Sequence, residues 1–191
     1  MRWLPIIAAS LAASALAPPR AVIDNAQVRV YRTTADSIGG LEHGPAVIVS
    51  LDEGDLGRAV WTDDAARAGA AARGRIVVVQ PRRAPSSPPP AGSRPGDAPF
   101  TGMSFKTIFE NDRVSVIRAR MEVGAQEGFH THGADTIVVH LSGGEIEDTA
   151  DGKTIVNKWT RGDVEFEGRG TSHSARNVAG AVDVVLVALK P

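Results

Sequence analysis

Seven short runs of β-branched and apolar residues restrict what this chain can fold into. They read AQVRVYR (26–32), PAVIVSL (45–51), RIVVVQ (75–80), RVSVIRARM (113–121), TIVVHLSG (136–143), DVEFEG (163–168) and VDVVLVALK (182–190). Runs of this length, rich in valine and isoleucine and bounded by glycine, proline or aspartate, are strand signals. Between residues 144 and 159, GEIEDTADGKTIVNKW shows two alternating stretches around ADGK, the pattern of a hairpin with a two-residue turn. The one helix-like stretch, DDAARAGAAAR (63–73), rests on alanine alone. Many short strands with few helices point to an all-β sandwich or barrel.

The chain has 191 residues, room for one medium or two small domains. Its apolar fraction is 42% but only 5% is aromatic, so a core has to be built from Val, Ile, Leu and Ala. A formal net charge of −1 and the lack of a basic cluster argue against a nucleic-acid or anionic-membrane partner. With no cysteine there is neither a disulfide nor a thiolate metal ligand.

The first residues, MRWLPIIAASLAASALAPPR, have the layout of a secretory signal peptide over residues 1–17. Cleavage is expected after Ala15 or Ala17, the former favoured because the latter leaves Pro18 first. The stretch from Trp3 to Ala17 is short for a span of about 20 apolar residues. The expectation is therefore a periplasmic or secreted protein with no membrane attachment after cleavage, an uncleaved anchor being the alternative.

Residues 82–102 break every pattern. Seven of the twelve prolines fall between Pro81 and Gly102, beside glycine and serine, as in an extended linker. The segments on either side resemble each other: IDNAQVRVYR (23–32) lies over FENDRVSVIR (109–118), and HGPAVIVSLDEGDL over HGADTIVVHLSGGEI with one residue deleted. RGRIVVVQP parallels AVDVVLVALKP as a closing strand. The expected organisation is a shorter, degenerate β unit over 21–81 and a complete one over 103–191, the first retaining only His43 of the histidines.

His130 and His132, at i and i+2, project to one side of an extended strand, where two neutral imidazoles can share a metal ion. Alone, such a pair is weak evidence. The surrounding residues, however, resemble the two sequence motifs of the cupin superfamily. In the first, Gly124, His130, His132 and Gly143 fall in register; in the second, Gly162, Gly170, His173 and Asn177 do, with Gly168 in place of a proline. The resemblance implies a jelly roll (double-stranded β-helix) in the second half, complete there and degenerate in the first. It also implies one divalent metal ion on His130, His132 and His173.

The resemblance departs at one ligand. Where the family places a glutamate this chain has Thr136, and Asp135 next to it is a candidate replacement whose strand parity points the wrong way. A three-histidine shell with open positions suits Fe, Zn, Mn, Ni or Cu. His140 shares parity with Thr136 and Val138 and is the candidate acid–base group, against the plainer reading of a hydrogen-bonded residue at the barrel edge. The function expected is a metal-dependent enzyme acting on a small molecule, of dioxygenase or isomerase/lyase type. The alternative is a cupin that binds metal or small ligand without turnover. Cupin barrels often pair edge to edge, which adds a homodimer to the expectations.

Overall fold

The structure, a computed structural model, describes residues 18–82 and 100–190. The signal-peptide segment and most of the proline-rich stretch lie outside the described residues. The strands of the first half are β1 (Ala21–Asp24), β2 (Val28–Thr34), β3 (Ala46–Ser50), β4 (Ala59–Thr62) and β5 (Arg75–Pro81). Those of the second are β6 (Phe100–Glu110), β7 (Val114–Thr131), β8 (Thr136–His140), β9 (Gly144–Ala150), β10 (Lys153–Trp159), β11 (Val164–Glu167), β12 (Ser172–Ala179) and β13 (Val182–Leu189). Strand β6 thus begins at Phe100, inside the stretch expected to be linker. The alanine-rich segment forms a 3-10 run, Ala65–Ala71, capped by the Asp64 carboxylate, which accepts the Ala66 N–H. The ADGK turn closes β9 on β10 with Asp151 and Gly152 both at positive φ, as a type I′ turn requires.

The halves repeat one topology. The first is a five-stranded sheet in the order β1-β2-β5-β3-β4. The second contains the same path, β6-β7-β13-β8-β11, and extends it through β12, β9 and β10 on the long strand β7. The added strands curl the sheet into a jelly roll.

The repeat reaches individual hydrogen bonds. Asn25 Oδ1 accepts the N–H groups of Gln27 and Val28, and Asn111 Oδ1 those of Arg113 and Val114. Ser50 N donates to Arg58 O and Gly57 N to Ser50 O; His140 N donates to Asp163 O and Gly162 N to His140 O. Leu51 N donates to Arg75 O, as Leu141 N does to Asp183 O.

One core joins the halves. It takes Val28, Val30, Val47, Val49, Leu51, Ala59, Val77 and Val79 from the first sheet, and Val114, Val116, Ile137, Val139, Leu141, Val185 and Val187 from the second. The two sheets therefore stack face to face through equivalent residues. The contacts are reciprocal: Gly57 (φ +78°) lies against Leu141, and its counterpart Gly162 (φ +92°) against Leu51. Arg118 reaches Leu56 O, and its counterpart Arg32 forms an ion pair with Asp163.

The other face of each sheet has a different fate. In the first half Tyr31, Ile48, Ile76 and Val78 pack beneath the 3-10 segments, with Ile38, Leu41, Ala65 and Ala68 filling the space. Burial on both faces explains the unbroken valine runs of β3 and β5. In the second half the corresponding face lines a cavity.

Candidate metal centre and cavity

His173 on β12 stands directly opposite His130 on β7, and His132 continues the strand past it, its N–H donating to Thr171 O. The three rings lie 4.8–4.9 Å apart between centroids, and each offers one nitrogen within 4.8 Å of the other two. The structure therefore brings together the three histidines that the motifs single out.

A β-bulge sets which side chains join them. Between Glu127 and His130 strand β7 advances three residues while β12 advances two, from Ala175 to His173. Glu127 stands opposite Ala175 and His130 opposite His173, two positions on one side of β12, because the extra residue reverses the alternation of β7. Phe129, in the bulge, is turned out to solvent at 69% exposure. Glu127 and His130, three apart and expected on opposite faces, share one side.

The hydrogen bonds fix the ring tautomers. His130 Nδ1 lies 3.0 Å from Gly128 O, and His173 Nδ1 lies 2.8 Å from Asp148 Oδ1. Both partners only accept, so both Nδ1 atoms carry the proton and Nε2 presents its lone pair. His173 Nε2 is buried and has no hydrogen-bond partner. The Glu127 carboxylate lies 3.6 Å from His130 Nε2 through one oxygen and 4.0 Å from His173 Nε2 through the other. His132 Nδ1 faces Glu167 Oε2 at 3.3 Å.

Thus the Nδ1 atoms of His130 and His173 each have an oxygen partner, the arrangement by which metal-binding imidazoles are oriented. Burial and the neighbouring His173 and His130 bring the His132 pKa down to about 4, so its ring is neutral at ordinary pH. Burial raises the pKa of Glu127. Burial, with repulsion from Glu165, Glu127 and Asp148, pushes Glu167 up to about 8. A divalent cation would relieve both the unpartnered nitrogen and the crowded carboxylates; the donor set fits such an ion.

The residues considered in place of the missing glutamate do not enter the cluster. Asp135 Oδ1 accepts the Arg169 N–H at 2.8 Å and so closes a turn. Thr136 lies opposite Glu167 in the β8–β11 ladder, its hydroxyl donating to Ala134 O. His43 is exposed and its Nδ1 lies at hydrogen-bond distance from the Asp64 carboxylate. Sequence reasoning missed Glu127, Asp148 and Glu167; the one local signal was Gly128 beside Glu127, where a bulge is tolerated.

Behind the histidines lies a cavity of about 110 Å³. Met103, Phe105, Val138, Ile146, Val182 and Leu186 give it apolar walls, and Glu127 and His173 belong to both the cavity and the cluster. His140 lines it too, contrary to the barrel-edge reading: it is 2% exposed and neither ring nitrogen has a hydrogen-bond partner. Its ring stacks on Trp159, centroids 4.3 Å apart and planes at 16°, with Glu165 4.0 Å away.

The second half is similar to solved structures of cupin proteins. A cupin domain from Bordetella pertussis Tohama I is 24% identical over 47% of this chain and 95% of its own, with a TM-score of 0.44. The polyketide cyclase RemF from Streptomyces resistomycificus is 16% identical over 48% of this chain and 68% of its own (TM-score 0.42). KdgF from Halomonas sp. is 19% identical over 47% and 80% (TM-score 0.40). No family model matches the sequence, and no curated protein matches it.

Proposed function

We propose that the barrel of the second half binds one divalent metal ion through His130, His132 and His173, with Glu127 as fourth donor, and acts as a metal-dependent enzyme on a small molecule entering the cavity. The observation that carries this reading is the buried, unpartnered Nε2 of His173 amid two further imidazoles and a carboxylate. A bound metal of this kind supplies Lewis acidity and open coordination positions for substrate.

The chain's own residues prepare the site. Asp148 and Gly128 O hold the His173 and His130 rings in the tautomer that ligates, and Glu167 stands beside the His132 ring. The donor set, three neutral nitrogens and one carboxylate, suits Fe, Mn, Zn or Ni ahead of the hard cations Mg and Ca. Action outside the cytoplasm is part of the proposal and rests on the amino-terminal residues alone.

The test is the metal content of protein purified without chelator or nickel resin, beside the His130→Ala/His132→Ala variant. One equivalent in the wild type and none in the variant is expected. Iron would direct assays to oxygen uptake, and zinc or manganese to isomerase and lyase substrates. Failure of the wild type to take up metal after reconstitution refutes the reading.

A further inference from the structure

Burying a polar group without a partner costs on the order of 1–3 kcal/mol, so His140 needs a reason to be where it is. The fold does not provide one. The first half carries the same backbone, with matching hydrogen bonds at Ser50 and His140. By the paired registers β3–β4 and β8–β11, His140 corresponds to Ser50 and Glu165 to Val60. The same strands thus form with serine and valine at these places, and with neither an imidazole nor a carboxylate.

The polar pair therefore serves the space it faces. Trp159 holds the His140 ring flat by stacking, while both ring nitrogens remain free and Glu165 stands at 4.0 Å, beyond hydrogen-bond reach. This is a hydrogen-bonding station in the cavity wall beside Val138, Val184 and Leu186, with the histidine cluster bordering the same space elsewhere.

The lining also limits what charge can enter. Glu127, Asp148, Glu165 and Glu167 all face the cavity. Arg120, also on the lining, is held by Glu122 at 2.6 Å. An anion that reached His140 would stand beside Glu165, with no free cation among the described lining residues. An apolar cavity of about 150 Å³ admits benzene, so a space of about 110 Å³ sets a similar or smaller scale.

We propose that His140, positioned by Trp159 and backed by Glu165, is the ligand-recognition residue of the cavity, and that the ligand is a small uncharged molecule with an apolar body and a hydroxyl or carbonyl group directed at His140. This deepens the reading of the barrel as a small-molecule site and rests on it.

The probes are phenol and, as a pair alike in size and different in charge, benzamide and benzoate. Binding is measured by calorimetry on zinc-loaded and metal-free protein, wild type and His140→Ser, with the ring ¹H–¹⁵N signals of His140 followed by NMR. Serine is chosen because the equivalent site of the first half accepts it; zinc affinity equal to wild type shows that the variant folds.

Phenol is expected to bind the wild type, to shift the His140 signals, and to lose tenfold or more in affinity in His140→Ser. Benzoate is expected to bind at least tenfold more weakly than benzamide. Phenol affinity unchanged by the substitution, unmoved His140 signals on the wild type, or benzoate binding more tightly than benzamide would each overturn the proposal. Because His140 lies apart from the three histidines, phenol is expected to move its signals in metal-free protein also. A chain that takes up no metal yet shows this response refutes the metal reading and retains the inference about His140.

Discussion

Gly57→Ala tests whether the two halves are one folding unit. Gly57 has φ +78°, so any side chain there incurs the left-handed penalty of about 1–2 kcal/mol. A Cβ would also sit 2.6 Å from Leu141 Cδ1 and 3.2 Å from Arg118 Nη1, both on the opposite sheet. Crowding of this kind in a packed core costs roughly 1–3 kcal/mol more. The sum, about 2–5 kcal/mol, lowers Tm by on the order of 10 °C for a domain of this size. Gly152→Ala is the control: its φ is +72° and nothing lies within 4 Å, so it carries the conformational cost alone. The assay is urea and thermal unfolding by far-UV circular dichroism, with hydrogen exchange read separately over residues 47–51 and 137–141. Gly57→Ala is expected to lose clearly more stability than Gly152→Ala, and the two segments to lose protection together. Equal losses, or segments that open at different urea concentrations, would mean that the sheets do not share a core and that the first half is a separate module.

Asp148→Asn removes the charge that orients His173 and is expected to weaken zinc binding about 10–100-fold, read by chelator competition; an unchanged affinity removes Asp148 from the site. Glu167→Gln is expected to stabilise the metal-free protein at pH 8 and not at pH 4. The Glu167 carboxyl has its pKa raised to about 8, so the stability it confers when protonated is lost as pH climbs from the ordinary carboxylate range through 8. At about 1.4 kcal/mol per pKa unit the gain is a few kcal/mol in urea titrations, and parallel pH profiles for the two proteins would contradict it. Asn111→Ala leaves the N–H groups of Arg113 and Val114 without their acceptor, and Asn25→Ala does the same to Gln27 and Val28. Each is expected to cost about 1–3 kcal/mol by thermal unfolding; a loss at one position alone would show that the turns are not equivalent.

The strands were legible because β-branched runs have few other ways to bury both faces, and the histidine triad because its three members fall at motif positions. The repeat was legible in the same way: Asn25 and Asn111 stand in the same place relative to the strand that follows, and both close the same turn. What was hidden depends on pairing between distant segments. Glu127 lies three residues from His130, and simple alternation sends it to the opposite face; only the bulge against β12 returns it. Glu167 meets Thr136 across the β8–β11 ladder, a neighbour that the order of residues along the chain does not reveal. His140 had the right parity for the cavity, but its burial and its stacking on Trp159 follow from how β9, β10 and β12 curl the sheet.

The repeated topology accounts for how a cavity lined by four carboxylates and unpartnered imidazole nitrogens is held open in a small protein. Each sheet has to cover one broad valine face, and each does so with the other, so the outer wall of the barrel is buried within a single chain. A homodimer, expected from the resemblance, would have to use a different surface. The first half closes its second face with 3-10 segments over Ile48, Ile76 and Val78, adding apolar burial that the second half forgoes at Thr136, His140, Glu165 and Glu167. Hydrophobic packing and polar chemistry compete for the same interior positions, since a site needs buried polar groups that a core excludes. Two copies of one unit separate these demands: the first keeps the core, and through the shared face its stability supports the copy that keeps the site.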